Sequence, residues 1–118
     1  MNTRKSGAEF EEMACQFLVS KDYVIRERNF HASKIGEIDV IANKDGIIYF
    51  VEVKGRNNNA YGSPAESIDF RKKQKLRLTA QYYLNKYFLS NIEYRFLIIE
   101  IFKEFDKYKI NVIDEVFE

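Results

Sequence analysis

GEIDVIANKDGIIYFVEVKGR, residues 36–56, reads as two strands joined by a tight turn. Asp45-Gly46 is a strong signal for a two-residue hairpin, because both central positions of such a turn take positive φ. The flanking segments Glu37–Asn43 and Ile47–Lys54 hold the β-branched and aromatic residues that suit a pleated surface. With the turn at Asp45-Gly46, Lys44 faces Ile47, and counting back sets Asp39 opposite Glu52 and Glu37 opposite Lys54. Side chains alternate across a strand, so three acids and a lysine are expected at one spot on one face. A slip of two residues keeps them together, and a slip of one parts them. The second strand is apolar on both faces, Ile47, Tyr49, Val51 and Val53 on one and Ile48 and Phe50 on the other, as expected of a strand central in its sheet.

The rest of the chain supplies the elements around this hairpin. From Lys5 to Ser20, Phe10, Met13, Ala14, Phe17 and Leu18 recur at helical spacing, the stripe of an amphipathic helix. Tyr23–Phe30 reads as a strand with one solvated face. After the hairpin, GRNNNAYGSP is loop material, and Ser63-Pro64-Ala65-Glu66 reads as a capped helix start. Helix then runs to about Phe88 as one piece or two, with Leu76, Ala80, Tyr83, Leu84 and Tyr87 on one face. Tyr94–Phe102 and Tyr108–Ile113 close the order α-β-β-β-α-β-β, a layered α/β fold.

Composition bounds the function without choosing it. The 118 residues suit one domain, 1–118, whose ten Phe and eight Tyr provide bulky core material. A formal net charge of +1 gives no global field to steer a polyanion, so any nucleic-acid binding must come from local clusters of Lys and Arg. One cysteine, Cys15, forms no intramolecular disulfide and no thiolate zinc cluster. No stretch approaches the ~20 apolar residues of a membrane span, and the N-terminus lacks a signal-type apolar core. These features lead us to expect a cytoplasmic protein, with no membrane partner.

The hairpin acids carry the chemistry. Two carboxylates held a few ångströms apart repel unless one is protonated or a cation lies between them. Asp39, Glu52 and the backbone carbonyl of Val53 form a hard oxygen set that suits Mg²⁺ or Mn²⁺ better than zinc. Such an ion polarises a phosphodiester and acidifies water, and Lys54, the only cation expected in the cluster, would orient that water or meet developing charge. The bland alternative is a solvated hairpin face with Glu and Lys paired across strands. Against it, Glu52 and Lys54 end a strand that is otherwise apolar on both faces.

The pattern D…ExK across a hairpin is similar to that of the PD-(D/E)xK nuclease superfamily. The fuller text, Gly7 and Glu11 near the N-terminus, then GEID and FVEVKGR, resembles the YraN family of bacterial proteins, relatives of archaeal Holliday-junction resolvases, over almost the whole chain. YGSPAESI with a basic helix start fits the same likeness. The resemblance implies a restriction-endonuclease-like mixed sheet flanked by helices, with Asp39 and Glu52 as metal ligands, Lys54 as catalytic lysine and Glu11 as a helical acidic residue of the site. By wheel position alone, Glu11 lies at the border of the apolar stripe, where a helix-flank carboxylate in solvent is the alternative. The chain departs from the family pattern at Phe10, before the helical acid, and at Leu97, where an acidic residue is common; neither touches the hairpin acids.

Basic residues gather in FRKKQKLR, with Arg71, Lys72, Lys73, Lys75 and Arg77 in the first turns of the long helix. They form either a solvated face or a phosphate-binding one. Lys72, one turn before Leu76, is the member expected to point back toward the acids. Arg56 and the asparagine loop after it would line a nucleic-acid groove or merely connect elements. His31 and Cys15 are read as bystanders. The function expected is a divalent-metal-dependent endonuclease acting on DNA, including branched or structured DNA, as a homodimer where the substrate has two-fold symmetry. The competing expectations are a non-cutting nucleic-acid-binding or scaffolding module of the same fold and a protein-interaction domain using the apolar late strands.

Overall fold

The computed structural model describes residues 4–58 and 69–115. The Ser63–Glu66 helix start and the YGSPAESI segment lie outside them. The described elements are α1 (Gly7–Ser20), β1 (Val24–Ala32), β2 (Gly36–Lys44), β3 (Ile47–Arg56), α2 (Phe70–Lys86), β4 (Glu93–Glu104) and β5 (Lys107–Glu115). They follow the expected α-β-β-β-α-β-β order. One mixed sheet runs β1-β2-β3-β4-β5, antiparallel except for the parallel pair β3 and β4, with β3 at its centre. The parallel step is what α2 allows, since a crossover between parallel strands needs about a dozen residues or more. Together the mixed sheet and its two helices make a restriction-endonuclease-like fold.

Each helix covers one face. Phe10, Ala14, Cys15 and Leu18 of α1 pack with Val40, Val51, Leu97, Ile99 and Ile101. On the other face Leu76, Ala80, Tyr83 and Leu84 of α2 pack with Phe30, Ile38, Ile41, Phe50 and Phe96. Tyr83 meets Phe30 and Phe50 edge to face, the arrangement that ring quadrupoles favour. Cys15 is core, as expected of an unreactive thiol. Thr79, not Tyr87, completes the buried stripe of α2: its hydroxyl donates to the Lys75 carbonyl, whereas Tyr87 caps the helix and is exposed. Within the described residues α2 begins with its own N-cap, the Asp69 side chain accepting from Lys72 N. Ser6 and Glu9 form a capping box on α1.

The hairpin has the expected register near its turn, with Lys44 paired to Ile47 and Asp45 and Gly46 both at positive φ. Its ladder ends at Val40 and Val51. Beyond that point β2 continues beside β1, and β3 continues beside β4 to Arg56. Strict alternation also fails there: Ile38 belongs to the α2 core and Val40, two residues on, to the α1 core. The switch falls at Asp39. In β1, Asn29 adopts left-handed φ at the same level, between Arg28, paired with Val40, and Phe30, paired with Ile38.

Candidate functional site

Asp39 and Glu52 meet where β2 and β3 part. Asp39 Oδ2 accepts a hydrogen bond from Val53 N at 2.8 Å, so the carboxylate stands in for the β2 carbonyl that a continuing ladder would have supplied. Glu52 is only 8% exposed. Its carboxyl is pushed up to about 7, by burial first and then by the charge of Asp39, with which it is in hydrogen-bonding reach; Lys72 and Lys54 pull the other way. Two acids this close are the expected pair, and burial together with the Asp39 charge lets Glu52 hold its proton toward neutral pH.

The surrounding groups differ from the sequence expectation in three ways. Glu37 does not meet the Asp39–Glu52 pair, because the hairpin ladder ends before it; it is exposed and pairs with His31 across β1, carboxylate to Nδ1 at 3.2 Å, while its charge still reaches Glu11. The cation touching Glu52 is Lys72, Nζ to Oε1 at 3.6 Å, as its helix position suggested, so Lys54 is not alone in the cluster. Lys54 is half-buried and stands in the sheet beside Glu100 of β4. Glu100 is only 3% exposed and accepts from Asn111 Nδ2 at 3.1 Å; its place beside Lys54 depends on the parallel pairing, which the sequence did not specify.

Glu11 reaches this spot from α1. Its carboxyl is raised by burial and then by the Asp39 charge, while a hydrogen bond from Asn29 and the charge of Arg28 lower it. Gly55 permits the approach: a Cβ there would fall inside the ring of Phe10, the residue before Glu11. Asn29 and Gly55 were both missed by sequence reasoning. Left-handed backbone that asparagine tolerates, and a glycine at a strand end, are the signals that would have found them.

The other expected residues are placed as follows. Arg56 continues the Lys54 side of β3, with its guanidinium over the Phe102 ring at 5.7 Å. Arg71 and Lys75 are exposed in the first turns of α2, on either side of Lys72. Val53 is half-buried.

The oxygen donors of the pair suit a hard divalent cation, whose charge would offset both the burial of Glu52 and its repulsion from Asp39. Among the described residues no group of three acidic, histidine or cysteine side chains forms a complete cage. Asp39, Glu52 and the Val53 carbonyl are the groups that could hold such an ion, whose remaining ligands would have to come from water or another molecule.

A sequence model of the family described as "Uncharacterised protein family UPF0102" matches residues 10–101. The UPF0102 protein of Clostridium tetani is 43% identical over 110 residues, covering 92% of this chain and 89% of that protein. That of Clostridioides difficile is 43% identical over 102 residues, covering 86% and 89%. That of Caldicellulosiruptor saccharolyticus is 37% identical over 118 residues, covering 100% and 93%.

Proposed function

The chain belongs to the uncharacterised protein family UPF0102, and for this member we propose a divalent-metal-dependent endonuclease activity on DNA, carried by Asp39, Glu52 and Lys54 with Glu11 beside them. The observation that carries this reading is the pairing of Asp39 with Glu52, a carboxyl that burial and then the Asp39 charge push up to about 7. The resemblance of the D…ExK hairpin to PD-(D/E)xK nucleases and archaeal Holliday-junction resolvases supports it. Among the described residues no helix is long and apolar enough to cross a membrane, and we propose that the enzyme works in the cytoplasm.

Asp39, Glu52 and the Val53 carbonyl would hold Mg²⁺ or Mn²⁺, which when bound supplies Lewis-acid polarisation of the phosphodiester and acidifies water. Asp39 enters the reaction already ordered, because Val53 N fixes its carboxylate. Lys72, whose Nζ lies 3.6 Å from Glu52 Oε1, would be within reach of a substrate phosphate beside the pair. Lys54 orients the attacking water and meets the charge that develops at phosphorus. Arg56, Arg71 and Lys75 would contact the backbone farther along. Cutting a two-fold symmetric junction would bring two copies together as a homodimer.

The test is incubation of the protein and of Asp39→Asn with linear, single-stranded, flapped and four-way DNA in Mg²⁺ and in Mn²⁺. Cleavage by the parent alone is expected. Absence of cleavage on every substrate, with metal and DNA both bound, would assign the chain to a non-cutting binding module.

A further inference from the structure

Beside the acidic pair lies a cavity of about 400 Å³, within the range of small-ligand sites. The β1–β2 turn and the first turns of α2 wall it. Ile35 and Leu76 give it an apolar side, and Lys34, Lys72 and Lys75 give it cations. The His31–Glu37 pair closes another side. The turn packs unusually near the helix, because a Cβ on Gly36 would come within 2.8 Å of Thr79 Oγ1, and Thr79 is fully buried. Lys72 belongs both to this cavity and to the acidic pair.

We propose that the cavity receives one unpaired nucleotide of a DNA strand, so that the protein selects DNA in which a base is free to leave the stack next to the phosphate at the acidic pair. The inference rests on the nuclease reading and names its substrate class. An apolar wall beside cations matches a nucleoside monophosphate unit, whose base is flat and whose phosphate is anionic. The imidazole of His31 adds a surface on which a base can stack. A paired base offers only its edges, its faces being covered by neighbours, so only an unpaired or extruded base can enter. Free nucleotide and strand share this chemistry. Three lysines around one nucleotide favour the strand, which brings a phosphate on each side of the base, whereas a free monophosphate brings one.

The test uses metal-free protein in EDTA, so that it does not depend on cleavage. Thymidine 5′-monophosphate and inorganic phosphate are titrated separately into isotope-labelled protein, and a duplex with a short single-stranded flap is compared with the same duplex lacking it. We expect saturable shifts of the Gly36 and Leu76 amides with the nucleotide but not with phosphate. The flapped duplex should bind about tenfold tighter, in line with one stacked base. Lys75→Glu and Ile35→Trp should each remove that preference. Lys75 is exposed, so its variant keeps the test valid should the bulkier one fail to fold. Equal shifts with phosphate alone would reduce the cavity to an anion site, and nucleotide binding without a flap preference would make it a free-nucleotide site; either overturns the proposal. A flap preference without cleavage in Mg²⁺ would sink the nuclease reading alone, and cleavage without a preference would sink this inference alone.

Discussion

Replacing Glu52 by Gln should stabilise the metal-free protein in mild alkali and leave it unchanged in mild acid. The Glu52 carboxyl lies at about 7 in the folded protein, against an ordinary value of 4.5 in the unfolded chain. Between those values the folded state holds a proton that the unfolded state has lost, so stability falls as pH rises through the window. Above it the full penalty stands. A shift from 4.5 to about 7 corresponds to roughly 3 kcal/mol as an upper bound for so closely coupled a pair. Gln cannot ionise, and its amide can donate to Asp39. Lys72 is left without a carboxylate, but its side chain is 43% exposed and turns to water at little cost. Urea unfolding in EDTA should therefore give nearly equal midpoints for parent and variant near pH 4, below the unfolded value, and a gap widening to as much as about 3 kcal/mol near pH 8, at a constant m value. Magnesium at a hundred times its dissociation constant should then raise the parent by about 2.7 kcal/mol and the variant by far less. A gap that stays the same from acid to alkali would refute the reasoning, since Glu52 would then be ionised throughout.

Asp39→Asn should fold normally, because an amide oxygen can still accept from Val53 N, but calorimetric titration should show weakened metal binding and cleavage assays no product. Lys54→Ala should lose cleavage while keeping metal binding. Its metal-free stability should fall modestly by urea unfolding, because Lys54 favours the charge of buried Glu52 and stands beside buried Glu100, while Lys72 keeps its contact with Glu52. Replacing Arg71, Lys72 and Lys75 together by Ala should flatten the plot of log affinity against log salt by roughly 0.9 per lost contact with duplex DNA; an unchanged slope would return this helix face to solvent. Gly55→Ala should destabilise by about 1–3 kcal/mol in thermal unfolding, because the added methyl meets the buried Phe10 ring, and it should weaken cleavage by moving Glu11 away.

The parts of this fold that were legible were those set by local chemistry. Asp45-Gly46 fixed the turn and hence the register from Lys44 to Val40. The apolar spacing of α1 gave its buried stripe, and the offset from Leu76 gave the direction of Lys72. What escaped was set by long-range packing. The change of face between Ile38 and Val40 follows from strands that stop pairing, and alternation rules assume that pairing continues. Glu37 was carried into the site by that assumption and left it for His31. The apposition of Lys54 and Glu100 depends on the parallel partner that β3 meets only after α2, and no local signal names that partner.

The hydrogen bond from Val53 N to Asp39 also turns one main-chain amide into a gauge of the site. An amide proton held by a carboxylate shifts in resonance as that carboxylate, or a group sharing its proton, changes charge. It exchanges with solvent only when the bond opens. Val53 should therefore follow the titration of the acidic pair as pH rises through neutrality, without any label or substrate. Slow exchange of its proton would show Asp39 held in place before anything binds, and faster exchange than at its neighbours would show the carboxylate swinging free between visits.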